Sequence, residues 1–237
     1  MKRVGIIVAM RAEYELARAV LERRVEHLER GTLLVEGYAE GAEVVLAQCG
    51  IGKVCSTIGA VEMIRRYNPD LIINAGVAGG IDPSLEVMDI VVGDEVVYHD
   101  VWCGGANQLG QVDGLPARFP ADRELYRAAL SIVPERGRVH GGLVCSGDRF
   151  IDSREELERI KKHFPEGLAV DMESGSLAQT CHLYGVPFLS YRMISDTPGV
   201  EDHARQYQGF WEEVPQRSFE MLRELIRHAA KENTRTR

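Results

Sequence analysis

The amino-acid sequence predicts a three-layer α/β/α domain built around a mixed, mostly parallel sheet. Three observations point there. Short apolar runs of strand length alternate with longer segments of helical pattern along the whole chain. One pair of alternating segments, 32–38 and 43–48, is joined by Ala39-Glu40-Gly41-Ala42 and reads as a hairpin, so the sheet is not purely parallel. No linker, repeat or low-complexity tract interrupts the pattern, and 237 residues suit one domain over 1–237.

Residues 4–9 form a buried strand that runs straight into a helix at Met10-Arg11-Ala12-Glu13. After the hairpin, Gly50-Ile51-Gly52-Lys53 is a turn, and a helix follows to about Tyr67, stopped by Asn68-Pro69. Residues 71–75 are the next strand, closed by Gly76-Val77-Ala78-Gly79-Gly80. Residues 89–97, rich in β-branched side chains, are another. From 98 to 121 the pattern is a glycine-rich loop, long enough to suggest function or a covering partner. A helix at 123–131 and a strand at 138–146 come next. Ser153-Arg154-Glu155-Glu156 has the spacing of a capping box and opens a helix. A strand at 168–171, a helix at 174–184 ended by Gly185, and a strand at 186–194 complete the alternation. Residues 210–230 read as one long amphipathic helix with Pro215 in its first turns or at a kink, and 233–237 as a frayed tail.

The formal net charge is −8, and basic residues cluster only in the last few positions, which argues against nucleic acid or an anionic membrane as partner. No apolar stretch is long enough to span a bilayer, and the short N-terminal apolar run lacks a signal-peptide pattern. The five cysteines are scattered and never in CxxC spacing. They read as small, mostly buried hydrophobes of a reducing cytosol, giving a cytoplasmic expectation. The histidines show no metal-ligand spacing, so neither metal nor cofactor is expected.

Three acidic residues follow buried strands: Glu13, Glu173 and Asp196. Ligands of open α/β sheets gather beyond the carboxyl ends of strands, where three carboxyl groups suit acid–base work on a leaving group, a water and a sugar. Each could equally be a helix cap or a surface residue. The glycine-rich turns let backbone N–H groups approach a ligand, although neither is a dinucleotide fingerprint or a P-loop, and tight turns explain them as well. His99-Asp100 and His203 are further candidates of the kind that is more often structural. Ser146-Gly147-Asp148 is not a nucleophile elbow.

In number, order and spacing, these segments resemble the methylthioadenosine/S-adenosylhomocysteine nucleosidases of the purine nucleoside phosphorylase superfamily. The resemblance runs through residues 5–10 leading to Glu13, then 50–54, 74–80, Tyr98-His99-Asp100, 146–151, Val170-Asp171-Met172-Glu173 and 192–196. It implies a nucleoside phosphorylase-like fold and a homodimer acting on a small adenine nucleoside. Glu13 would be the base that activates water, with Arg192 helping to hold that water. Glu173 would bind the ribose hydroxyls, with Met172 packed on the sugar. Asp196, oriented by Ser195, would protonate adenine N7. Phe150 would stack on the base and the Ile151 backbone would hydrogen-bond it. Ile51, Val77, Ala78 and Gly79 would line the site, and Tyr207 would stand near the ribose and 5′ group.

The sequence departs from the family at two points. Val77 stands where many relatives carry serine, and residues 101–110 lack the usual aromatic pattern and are about one residue shorter. Trp102 either replaces the missing aromatic contact or belongs to the dimer core. The implied reaction is hydrolysis of the N-glycosidic bond of 5′-methylthioadenosine and S-adenosylhomocysteine. The rivals are hydrolysis of another 5′-substituted adenosine such as aminodeoxyfutalosine, a phosphate-dependent nucleoside phosphorylase, and a binding protein without catalysis.

Overall fold

The computed structural model describes residues 1–29, 32–197, 203–213 and 220–231. The N-terminal strand β1 (Arg3–Val8) lies between two parallel neighbours, β4 (Ala42–Gln48) and β5 (Leu71–Gly80). Beyond β4 the sheet continues antiparallel through β3 (Thr32–Ala39) to the edge strand β2 (Glu22–Glu29). Beyond β5 it continues through β10 (Phe188–Asp196), β6 (Ile90–Tyr98), β8 (Val139–Ser146) and β9 (Gly167–Asp171). The sheet then curls until β9 pairs back, antiparallel, with Gly79 and Gly80 of β5. This mixed sheet is the predicted one, and the two-residue Glu40-Gly41 turn of the hairpin has both residues at positive φ, as a tight β3–β4 connection requires.

Alternation along β1 builds the layers. Val4, Ile6 and Val8 point to one face, where α1 (Arg11–Ala19), α3 (Arg123–Ser131) and α7 (Glu220–Lys231) contribute Tyr14, Leu125, Leu222 and Leu225 to a common core. Ile7 points to the other face, under α2 (Lys53–Tyr67) and α5 (Ser174–Tyr184), with Ala60, Met63, Leu177 and Cys181. A smaller cluster seats α4 (Arg154–His163) through Ile160 on Val97 and Leu143. The capping pattern at Ser153 holds: its hydroxyl accepts the Glu156 N–H.

Several expectations need correction. Residues 22–29 form a strand that the sequence did not announce, because Glu-Arg-Arg-Val-Glu-His-Leu-Glu carries no apolar face; backbone pairing to β3 supplies its order. Gly76–Gly80 does not close β5 but continues it, since β10 on one side and β9 on the other both bond to that stretch. The long 98–121 segment is loop except for β7 (Phe119–Pro120), which pairs with β6. Helix α6 (His203–Glu213) begins seven residues before the expected start at 210, and α7 is a separate assignment. Pro215 and the tail at 233–237 lie outside the described residues. Only Cys145 and Cys181 are buried; Cys55 and Cys103 are exposed, on the outward face of α2 and in the long loop, and Cys49 is intermediate.

Candidate active site

A cavity opens where β1, β4, β5, β8, β9 and β10 end. Its wall includes Glu13, Ile51, Val77, Ala78, Gly79, Phe150, Ile151, Met172, Glu173, Ser195, Asp196 and Tyr207, twelve of the fourteen residues singled out from sequence. The fold gathers them because the chain reverses direction at each of these strand ends.

Glu13 occupies the first turn of α1, and its carboxylate is turned back over the end of β1. Oε2 accepts the N–H groups of Ala9 (3.0 Å) and Met10 (2.9 Å), and Oε1 accepts that of Val77 (2.9 Å). Both oxygens are therefore fixed as acceptors from backbone that cannot move without moving the sheet. Burial pushes the Glu13 carboxyl above its ordinary range, while nearby Arg192 and the three N–H groups work in the opposite direction.

Arg192 is the thirteenth residue, and the structure places it behind the wall rather than in it. It has no solvent exposure at all. Its Nη2 forms an ion pair with Asp171 and a hydrogen bond to Asn74 Oδ1, and lies 3.6 Å from Glu173 Oε2. Ser174 Oγ accepts from Nε at 3.3 Å and also contacts Ser190 Oγ at 2.7 Å. A fully buried guanidinium requires such a set of partners. Its Nη1 makes no hydrogen bond to any described residue and is directed toward Gly76 and Glu13.

Glu173 sits at the N-cap of α5 and reaches across to the turn after β4, where Gly52 N–H donates to Oε1 at 2.9 Å. Gly52 has φ of +89°, a conformation that disfavours a side chain, and a methyl there would meet Asp148 Oδ1 at 2.8 Å. Burial, with Asp171 adding to it against the pull of Arg192, pushes the Glu173 carboxyl up to about 7.

Asp196 closes the opposite side. Ser195 Oγ donates to Oδ1 at 2.5 Å, and His203 Nε2 lies 2.8 Å from Oδ2. Burial pushes the Asp196 carboxyl up, opposed by those two partners. Above the cavity Phe150 is half exposed and meets Tyr207 edge-on at 5.8 Å, and Tyr207 Oη reaches Met10 Sδ at 3.7 Å. Helix α6 thereby forms the roof.

Trp102, the fourteenth residue, is not brought to the cavity. It is 66% exposed in the loop after β6, whose tether to α2 is the Lys53–Asp100 ion pair of 2.7 Å. His99 and Asp100 likewise line a different depression. Sequence reasoning passed over Ala9, Met10, Arg149, Val170 and Asp171 as wall residues. Asp171 was legible as the first acid of the strand-ending Val-Asp-Met-Glu run, but not its burial against Arg192. Among the described residues no three His, Cys, Asp or Glu side chains converge as a metal ion would need.

This arrangement, with buried carboxyl groups at the strand ends and an aromatic roof, is that of a known class. The model of the phosphorylase superfamily matches residues 3–227. The 5′-methylthioadenosine/S-adenosylhomocysteine nucleosidase of Actinobacillus succinogenes is 39% identical over 222 residues, spanning 93% of this chain and 96% of the relative. The crystal structure of the Neisseria meningitidis nucleosidase of the same name, in complex with methylthio-immucillin-A, superposes with a TM-score of 0.90 at 38% identity, covering 96% of this chain and 99% of that one. The Colwellia psychrerythraea enzyme in complex with adenine gives 0.90 at 31% identity, over 96% and 95% of the two chains. The chain belongs to the phosphorylase superfamily and, within it, to the family of 5′-methylthioadenosine/S-adenosylhomocysteine nucleosidases.

Proposed function

We propose that this chain hydrolyses the N-glycosidic bond of 5′-methylthioadenosine and S-adenosylhomocysteine, releasing adenine and the 5′-thioribose product. The relatives' activity and ligands support the substrate class. Water as nucleophile rests on one observation: Arg192, the only arginine at the nucleophile side among the described residues, is already paired with Asp171 and Glu173, and the Glu13 carboxylate stands beside it. A phosphate dianion needs uncommitted positive charge or several N–H donors. Here the available N–H groups of Ala9, Met10 and Val77 already serve Glu13. Arg149, the other cation of the wall, is largely exposed and paired with Glu156.

Glu13, ionised, takes a proton from water held by Arg192 Nη1. Asp196, protonated, gives its proton to N7, so that adenine leaves neutral. The C1′–N9 bond breaks through an oxocarbenium-like state, whose positive charge the buried carboxylates stabilise. Glu173 binds the ribose hydroxyls, Met172 packs on the sugar, Phe150 stacks on the purine with the Ile151 backbone at its edge, and Tyr207 faces the 5′ side. Ile51, Val77, Ala78 and Gly79 complete the walls, and no cofactor takes part.

The unit acts as a single domain in the cytoplasm and as a homodimer. Ile51, Val54 and Ile58 at the start of α2, with Leu183 and Tyr184 at the end of the neighbouring α5, leave apolar side chains exposed. Trp102 follows the Asp100 tether to α2 and adds to that surface. The test is a panel of 5′-methylthioadenosine, S-adenosylhomocysteine, adenosine, inosine and aminodeoxyfutalosine, ranked by kcat/KM. The first two should lead; a lead for inosine or aminodeoxyfutalosine would overturn the assignment.

A further inference from the structure

His203 stands out in the sequence, and the reaction just described gives it no part. In the structure its ring is buried in the first turn of α6; Nε2 makes no aligned hydrogen bond to any described residue but lies 2.8 Å from Asp196 Oδ2, and the ring centre is 5.8 Å from that of Phe150. The spacing is held from both sides. Gln206 Oε1, on the same turn of α6, accepts the N–H and the Oγ–H of Thr197, each at 2.9 Å, and so ties the helix to the residue that follows Asp196. The second carboxyl oxygen, Oδ1, is taken by Ser195. Both carboxyl oxygens of Asp196 are thus accounted for, and of their two partners only the His203 imidazole has a lone pair and an N–H on separate nitrogens of one ring.

We infer that Asp196 and His203 form a proton-sharing pair, in which His203 positions the carboxyl for N7 and returns its proton after each turnover. The inference rests on the reading of Asp196 as the general acid. In the resting pair Asp196 carries the proton on Oδ2 and the neutral imidazole accepts at Nε2. During cleavage the proton moves from Oδ2 to N7, the C1′–N9 electron pair goes to adenine, and water adds to C1′ as its proton passes to Glu13. Asp196 is left as a carboxylate with almost no access to solvent. To reset it once adenine has left, the ring takes a solvent proton at Nε2, becoming imidazolium, and passes that proton to Oδ2, which returns it to the Nδ1–H tautomer, while Glu13 releases the proton it took from water. The other charged groups around the cavity are Glu13, Glu173, Asp171 and Arg192, which are bonded among themselves and to backbone, and Arg149, which is paired with Glu156. Among the described residues none of these groups contacts the Asp196 carboxyl.

The experiment compares steady-state turnover and its pH profile in wild type, His203→Ala, His203→Gln and Asp196→Asn, with and without added imidazole. The pair requires that His203→Ala lower kcat by at least about tenfold with KM within about twofold, and that imidazole restore kcat there but not in Asp196→Asn. The alkaline limb should also move to higher pH, because removing His203 leaves only Ser195 to oppose the burial that holds the proton on Asp196. Should His203→Ala not fold by circular dichroism, His203→Gln carries the test: it keeps a polar contact and loses the relay, so kcat falls and the limb moves the same way. Wild-type kcat and an unmoved limb in a folded variant would overturn the pair. So would a loss that imidazole leaves untouched and that comes with weakened adenine binding, the mark of a packing role. Near wild-type activity in Asp196→Asn would instead defeat the assignment of the acid itself.

Discussion

Glu13 and Arg192 meet over Gly76: a methyl group on that glycine would lie 2.6 Å from Glu13 Oε1 and directly against Arg192 Nη1. The proposed base and the guanidinium proposed to hold its water therefore share a space only because residue 76 has no side chain. Gly76→Ala should reduce kcat by about 100-fold or more while leaving the circular dichroism spectrum unchanged, as expected when acid–base geometry is lost without loss of fold. Activity within about threefold of wild type would show that the gap between the two groups is not needed.

Glu13 must be ionised and Asp196 protonated at the same time, so kcat should be bell-shaped in pH. Burial raises both carboxyls, which places the acid limb, governed by Glu13, above the ordinary carboxylate range. Glu13→Gln should lower turnover by roughly 10²- to 10⁴-fold and remove the acid limb. A rate profile that keeps this limb in the variant would assign it to another group.

Asp171 neutralises a guanidinium that is fully buried. Removing one member of a buried ion pair leaves the other charge stranded, at about 3–5 kcal/mol. Asp171→Asn should therefore lower the urea midpoint by a corresponding amount, along with activity, because Arg192 is freed to tilt away from Glu13. An unchanged midpoint would mean that Asn74 and Ser174 satisfy the guanidinium alone.

Glu173 links stability to pH. With its carboxyl raised to about 7 in the folded protein, the native state holds a proton that the unfolded chain has already released. Its contribution is complete below the ordinary glutamate range and is lost as pH rises through about 7. The difference in unfolding free energy between wild type and Glu173→Gln should shift across that window, in the direction of wild type losing ground with rising pH. A pH-independent difference would show that the carboxyl is not raised.

What the sequence disclosed and what it withheld have distinct physical origins. Strands with an apolar period, such as β1 and β10, were legible, as were the acids that follow them, because strand ends and turns have local chemistry. β2 was not, since its charged residues find order only through backbone pairing to β3. The segment 76–80 looked like a turn because its glycines answer to Arg192, Glu13 and Ile194, residues distant in sequence. Arg192 was legible as a group that helps hold water, but not as a side chain behind the cavity wall, because nothing local reveals that Asp171, Asn74 and Ser174 enclose it. Trp102 shows the reverse case: an aromatic that the resemblance offered either as a site contact or as dimer core stands exposed on this chain, away from the cavity.

The central claim is that water, and not phosphate, attacks C1′. The direct test is the rate of adenine release from 5′-methylthioadenosine by purified protein in phosphate-free buffer and again with phosphate added, with the sugar product separated by chromatography. The account predicts equal rates and free methylthioribose in both. A strict phosphate requirement with a sugar 1-phosphate product would contradict it and remove the role given to Glu13.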